Sequence, residues 1–203
     1  KYLHNNKFFL WGESFSGMLV LVVGALIENI SGIISVTPSC GAEIEKFRNK
    51  LKYFKILKDI FFNISLDNYD KDIIGPIAVV SSDQEKYPSL LKPKAAYDWF
   101  MEFGKVEKSK WKNIITRVIP KTEVPFSPQL TASFIKSPTL IIIGKNDEIE
   151  QANFLIQKKV FQDILADKEI VEINGGHFGC LYPDSGIFKK NINHQLSFLN
   201  KFK

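Results

Sequence analysis

Six consecutive residues carry the densest chemical signal in the sequence: Gly12-Glu13-Ser14-Phe15-Ser16-Gly17. A serine with small residues two places before and two after it, set between an apolar run and an apolar helix-like segment, is the pattern of a strained strand-to-helix turn that exposes a nucleophile. Gly12, Ser16 and Gly17 are small because the strand and helix backbones pass close together there. A serine hydroxyl needs a base, and the base needs an orienting acid. Of the three histidines, His4 precedes the first apolar run, and His194 sits inside a periodic C-terminal segment as a surface or boundary residue. His177 follows an apolar run directly, in Gly175-Gly176-His177-Phe178, a glycine loop at a strand end. Catalytic residues of open α/β sheets collect at such ends. In chain order the acid falls between serine and histidine. Asp147 meets that condition just past the strongest apolar strand, with Glu148 and Glu150 as neighbouring alternatives. A turn-forming role also fits Asn146-Asp147. Cys40 and Cys180 have no second Cys or His at metal-ligand spacing, neither has the turn context of a nucleophile, and no Gly-rich phosphate loop is present.

The elements that must position these residues fall into three blocks. Residues 7–11 (KFFLW) predict a buried strand, 12–17 the turn, 16–29 a helix apolar on nearly every face, and 32–36 (GIISV) a second strand stopped by Pro38. Strand, helix, strand with short links implies a parallel sheet. Residues 137–203 restore that alternation: a strand at 139–143 (TLIII), a helix at 152–165, a strand at 169–173, and a terminal helix at 187–202 with Phe188, Ile192, Leu196 and Leu199 on one face. Between them, about 41–136 changes character. Ile44, Phe47, Leu51, Phe54, Leu57 and Phe61 recur at helical spacing. Further helices are expected at 94–102 and 110–119, with a short apolar stretch at 77–80. This block lacks strand-helix alternation and is expected to be a helical lid-like insertion. The expected fold is α/β, a mostly parallel sheet flanked by helices.

Composition sets the outer limits. The 203 residues are 45% hydrophobic and 24% charged, the range of an ordered globular chain. They suffice for one domain with a core. The longest apolar run, 18–27, is too short to span a bilayer, so no membrane partner is expected. The net charge of +5 comes from scattered lysines with only Arg48 and Arg117 beside them. Nucleic-acid binders concentrate such charge in a stripe, so no nucleic-acid partner is expected. Two cysteines make no disulfide framework, which points to a reducing, cytoplasmic compartment. The chain opens at Lys1 rather than at a methionine and without a signal-like segment, so its numbering is not expected to begin at a natural translation start.

The stretch from Phe9 through Gly17 (FLWGESFSG) resembles the nucleophile turn of the α/β-hydrolase superfamily. The resemblance is to the branch of dienelactone hydrolases, Xaa-Pro dipeptidyl-peptidase-like hydrolases and polyketide transferases. Val36-Thr37-Pro38, Ala96-Tyr97-Asp98-Trp99-Phe100, Trp111-Lys112-Asn113-Ile114-Ile115-Thr116, Ser137-Pro138-Thr139-Leu140 and Gly175-Gly176-His177-Phe178 resemble it too. The resemblance implies a nucleophile at Ser14, an acid at Asp147, a base at His177, an oxyanion donor at the Phe15 backbone N–H, and no cofactor. It covers the C-terminal two-thirds of such a protein. The loop that carries the second oxyanion donor lies well upstream of the turn in that family, and only eleven residues precede Gly12 here. The first four strands are expected to be missing for the same reason.

Three functions fit these residues. The first is a serine hydrolase acting on a small-molecule ester or acyl substrate through a Ser-Asp-His triad, with peptidase or polyketide acyltransferase chemistry as variants. The second is an inactive fragment or remnant that keeps the triad. The third is a binding module using an open sheet edge. An unpaired apolar edge at residues 7–11 is expected to promote association, so a homo-oligomer is expected. Aromatic residues in the insertion suggest an apolar acyl or aromatic group in the substrate.

Overall fold

The computed structural model describes residues 7–44, 49–63, 65 and 69–202. His4 and Phe47 lie outside the described residues. In chain order the elements are β1 (Phe9–Glu13), α1 (Phe15–Leu26), β2 (Gly32–Val36), α2 (Lys50–Asn63), β3 (Lys71–Val80), β4 (Ser89–Leu91), α3 (Lys94–Phe103), β5 (Ile115–Pro120), α4 (Pro128–Thr131), β6 (Thr139–Gly144), α5 (Phe154–Asp163), β7 (Lys168–Ile173) and α6 (Gly186–Lys201). The chain divides into two compact units, one built from 1–61 and 124–203, the other from Phe62–Glu123.

The larger unit holds an all-parallel sheet in the order β1-β2-β6-β7. Every residue of β2 and β6 is buried, which is why both read as uninterrupted apolar runs. Their side chains alternate between two cores, as the two-residue period of a strand requires. Ile33, Ile141 and Ile143 pack with Leu21 of α1 and Val160 of α5. Ile34, Val36, Leu140 and Ile142 pack on the opposite face with Phe198 of α6. Helices therefore cover both faces, and the fold is α/β.

The apolar character of α1 on nearly every face has a structural cause. Leu21 faces the sheet, while Met18, Val22 and Leu26 meet Leu57 of α2. Phe54 of α2 stacks on Phe134 with ring centroids 4.0 Å apart. Close approach of α1 to β2 is permitted by Gly17, where a Cβ would lie 2.8 Å from the Val36 carbonyl. Ser35 uses the same proximity to donate its hydroxyl to the Gly17 carbonyl at 2.9 Å.

The smaller unit departs from the helical insertion expected at 41–136. It spans Phe62–Glu123, and most of α2 belongs with the larger unit. Its centre is a sheet in the order β4-β3-β5 with α3 beside it. β3 runs parallel to β4 and antiparallel to β5. The helix expected at 110–119 is replaced by β5. The run Ile114-Ile115-Thr116-Arg117-Val118-Ile119 is almost wholly β-branched, and such side chains suit a pleated strand better than a helix. Asn113 closes the sheet end, accepting from the Val80 N–H at 2.9 Å and donating to the Val80 carbonyl at 2.8 Å. The expected helix at 94–102 is present as α3, whose Phe100 lies against Trp111 at 5.4 Å.

Smaller shifts have equally local causes. The strand expected at 7–11 runs two residues further, as β1, so the turn narrows to Ser14 alone. On α6 the buried residues are Asn191, Gln195 and Phe198, while Leu196 is 52% exposed. Gln195 is accommodated because it accepts from the Trp11 indole N–H at 2.7 Å and donates to Asn191 at 2.7 Å. Apolar periodicity is blind to a buried amide with partners. No helix among the described residues is long and apolar enough to cross a membrane.

Candidate active site

Ser14 stands between the last residue of β1 and the first of α1, with φ 57° and ψ −121°. A non-glycine residue in that region costs about 1–3 kcal/mol and persists only where its surroundings hold it. Three backbone bonds hold it here. The Ser14 N–H donates to the Val36 carbonyl at 2.9 Å, and the Ser14 carbonyl accepts from Met18 at 3.1 Å and Ser39 at 3.0 Å. Gly12 has no room for a side chain, because a Cβ would collide with the Ser16 carbonyl. Ser16 itself is exposed, so at 16 it is the backbone that crowds the turn. The Phe15 N–H has no acceptor among the described residues, and no side chain caps the start of α1. It is therefore free to donate to an oxygen bearing developing negative charge.

Asp147 and His177 meet at the C-terminal ends of β6 and β7. The imidazole Nδ1 lies 2.9 Å from Asp147 Oδ2 and 3.1 Å from Oδ1. Both side chains are almost fully buried, at 3% and 2% exposure for histidine and aspartate. Asp147 Oδ1 also accepts from the Ile149 N–H at 2.9 Å, which fixes the carboxylate. A carboxylate at Nδ1 favours the tautomer with the proton there, leaving Nε2 as a proton acceptor. Ser14, Asp147 and His177 thus lie at the same end of one parallel sheet, just after β1, β6 and β7.

The serine hydroxyl is not bonded to that imidazole. Its contact is with the Ser39 hydroxyl at 3.5 Å, and no Ser14–His177 hydrogen bond is present among the described residues. Neither alternative acid is hydrogen-bonded to the ring. Glu148 instead accepts from the backbone N–H of His177 at 2.7 Å and of Phe178 at 3.4 Å, and Glu150 is exposed. His194 is half-buried on α6.

Three further residues lie at this sheet end in contacts that the sequence alone does not assign. Ser39 follows β2 and has no motif of its own. Glu148 was visible only as a rival acid. Glu13 fills the unspecified place before the nucleophile, yet its Oε1 is buried without a hydrogen-bond partner. Burial pushes the Glu13 carboxyl up to about 7, against the opposing pull of His177 and with a smaller push from Asp147. The Cys180 thiol is pushed up to about 12, first by burial and then by the charges of Glu13, Asp147 and Glu148. Burial alone takes Cys40 to about 12. Neither thiol ionises near neutrality, which disfavours both as nucleophiles. Among the described residues no group of three His, Cys, Asp or Glu side chains is arranged to hold a metal ion.

No protein-family model matches the sequence, and no curated protein matches it. Solved structures do. The α/β hydrolase GrgF from Penicillium sp. sh18 superposes with TM-score 0.57 at 17% identity, covering 98% of this chain and 65% of that one. DcsB, solved with a substrate analogue, gives TM-score 0.58 at 16% identity, with 98% and 66% covered. The monoacylglycerol lipase of Paleococcus ferrophilus gives 0.55 at 15%, with 96% and 69% covered. This chain spans about two-thirds of the length of those structures. The architecture it shares with these chains is the α/β-hydrolase fold.

Proposed function

We propose that the chain carries the acyl-transfer centre of a serine hydrolase acting on esters. The observation that carries this reading is the buried Asp147–His177 pair, set at the same sheet end as a serine held at positive φ. Ser14 Oγ attacks the ester carbonyl carbon while His177 Nε2 takes its proton. Asp147 holds the Nδ1 proton and stabilises the imidazolium that forms. The oxyanion of the tetrahedral intermediate meets the Phe15 N–H. The imidazolium then protonates the leaving alcohol, and water repeats the sequence to free the acid and restore Ser14.

An apolar acyl group suits the site, since Phe15 beside the nucleophile is 62% exposed. The lipase among the structural neighbours supports an ester over an amide. An amide or a polyketide thioester as substrate differs only in the group that leaves, an amine or a thiol, and is the variant reading. A non-catalytic remnant is favoured by one observation, the missing Ser14–His177 bond. Hydrolysis of a short-chain p-nitrophenyl ester separates the two. Turnover lost by at least about a thousandfold in Ser14→Ala and in His177→Ala supports the hydrolase. Equal background rates in all three proteins support the remnant.

A further inference from the structure

We propose that Glu148 is a positioning residue for His177: its carboxylate grips the backbone of the histidine while its neighbour Asp147 grips the ring. The inference rests on the hydrolase reading for its functional meaning and on hydrogen bonding for its substance.

Two loops meet at this point, 145–149 after β6 and 174–178 after β7. Up to Gly175 main-chain bonds join them: Lys145 N–H to the Ile173 carbonyl at 3.0 Å, and Asn146 N–H to the Gly175 carbonyl at 3.2 Å. Gly144 lets them approach, since a Cβ there would lie 2.8 Å from the Gly175 carbonyl. Beyond Gly175 the link changes. Glu148 Oε2 accepts from the His177 N–H at 2.7 Å, and Oε1 reaches the Phe178 N–H at 3.4 Å. A hydrogen bond to an ionised acceptor is shorter and stronger than a neutral one. The carboxylate sits so close that a Cβ at Gly176 would collide with Glu148 Oε2. A side chain at position 176 would therefore displace the glutamate carboxylate from the histidine backbone.

Asp147 and Glu148 are adjacent in sequence and divide the work. Asp147 sets the rotation of the imidazole through Nδ1, and Glu148 sets where its Cα stands. A ring fixed at Nδ1 on a mobile backbone would still swing its Nε2 through an arc. Small misplacement of a reacting group can cost on the order of a hundredfold in rate. The main-chain bonds between the loops remain when Glu148 is removed, so the fold is held by other contacts while the histidine is released.

The test uses the full chain with Glu148→Ala and Glu148→Gln. Glutamine keeps one acceptor oxygen for the His177 N–H. The readouts are the rate of Ser14 modification by a fluorophosphonate, the low-field proton resonance of the imidazole Nδ1–H bonded to Asp147, and the unfolding midpoint. Expected are a drop in modification rate of about 10–100-fold in Glu148→Ala, a low-field resonance lost to solvent exchange, and a midpoint shifted by only a few degrees. Glu148→Gln recovers the rate to within about threefold and keeps the resonance. Wild-type rate and resonance in Glu148→Ala overturn the proposal. So does a Glu148→Gln variant as slow as Glu148→Ala. A wild-type chain that takes no label defeats the hydrolase reading instead, and the resonance alone then decides the role of Glu148.

Discussion

β6 and β3 are both strands with apolar sequence, and they were legible to very different degrees. β6 is buried along all six residues. Its neighbours on each side run parallel, and a helix-bearing core covers each face. Such a strand is uniformly apolar and short, so it cannot be confused with an amphipathic helix. β3 is exposed over its first six residues and buried only at Val79 and Val80. Its polar and apolar residues do not alternate cleanly, and only its last four residues stood out in the sequence. β5 is mostly exposed as well, and its lysine-flanked pattern passed for a helix. Burial on both faces writes an unambiguous signal, whereas a small half-exposed sheet leaves β-branching as the surviving cue.

The comparison can be broken by deleting side chains. Ile142 of β6 is fully buried in the core with Val36, Ile173 and Phe198. Ile142→Ala is expected to lower stability by about 2–5 kcal/mol, through lost transfer energy and the cavity left behind. Urea unfolding of the two proteins measures it. A change below about 1 kcal/mol would mean that the sheet centre is not close-packed.

A second substitution sharpens the account at the end of β1. Glu13 has its carboxyl raised from 4.5 to about 7. Between those values the native state holds a proton that the unfolded chain has released. The favourable contribution is full below about 4.5 and is lost as pH rises through about 7. The loss amounts to about 3 kcal/mol at alkaline pH. Glu13→Gln removes it, so the variant is expected to be the more stable protein at pH 8 and to differ little at pH 4. Unfolding midpoints at both pH values check this. Equal midpoints at pH 8 would show that Glu13 finds a charged partner or solvent.

The smallest effect belongs to the exposed sheet. Ile73 pairs with Val118 across β3 and β5, yet it is 64% exposed. Ile73→Ala is expected to change stability by less than about 0.5 kcal/mol. A loss comparable to that of Ile142→Ala would show that the β3 face is covered in solution.

The site divides along the same line. The strand-end positions of Ser14, Asp147 and His177 were legible because strand ends follow from apolar runs. Glu148 was read as a rival acid because its contact depends on how closely two loops pass, which Gly144 and Gly176 permit but do not announce. The Ser39 hydroxyl near Ser14 depends on the chain path after β2, where Thr37 has φ 41°. The buried carboxylate of Glu13 was hidden because charged residues on short strands usually face solvent.

The central claim is that Ser14 is the nucleophile and that His177 activates it. Fluorophosphonate treatment followed by peptide mapping in a mass spectrometer tests it directly, because the adduct stays on the attacking oxygen. The account predicts one adduct, on the peptide containing Ser14. Ser14→Ala should abolish it, and both His177→Ala and Asp147→Asn should slow it strongly. An adduct on another residue, or labelling that persists unchanged in Ser14→Ala, would contradict it.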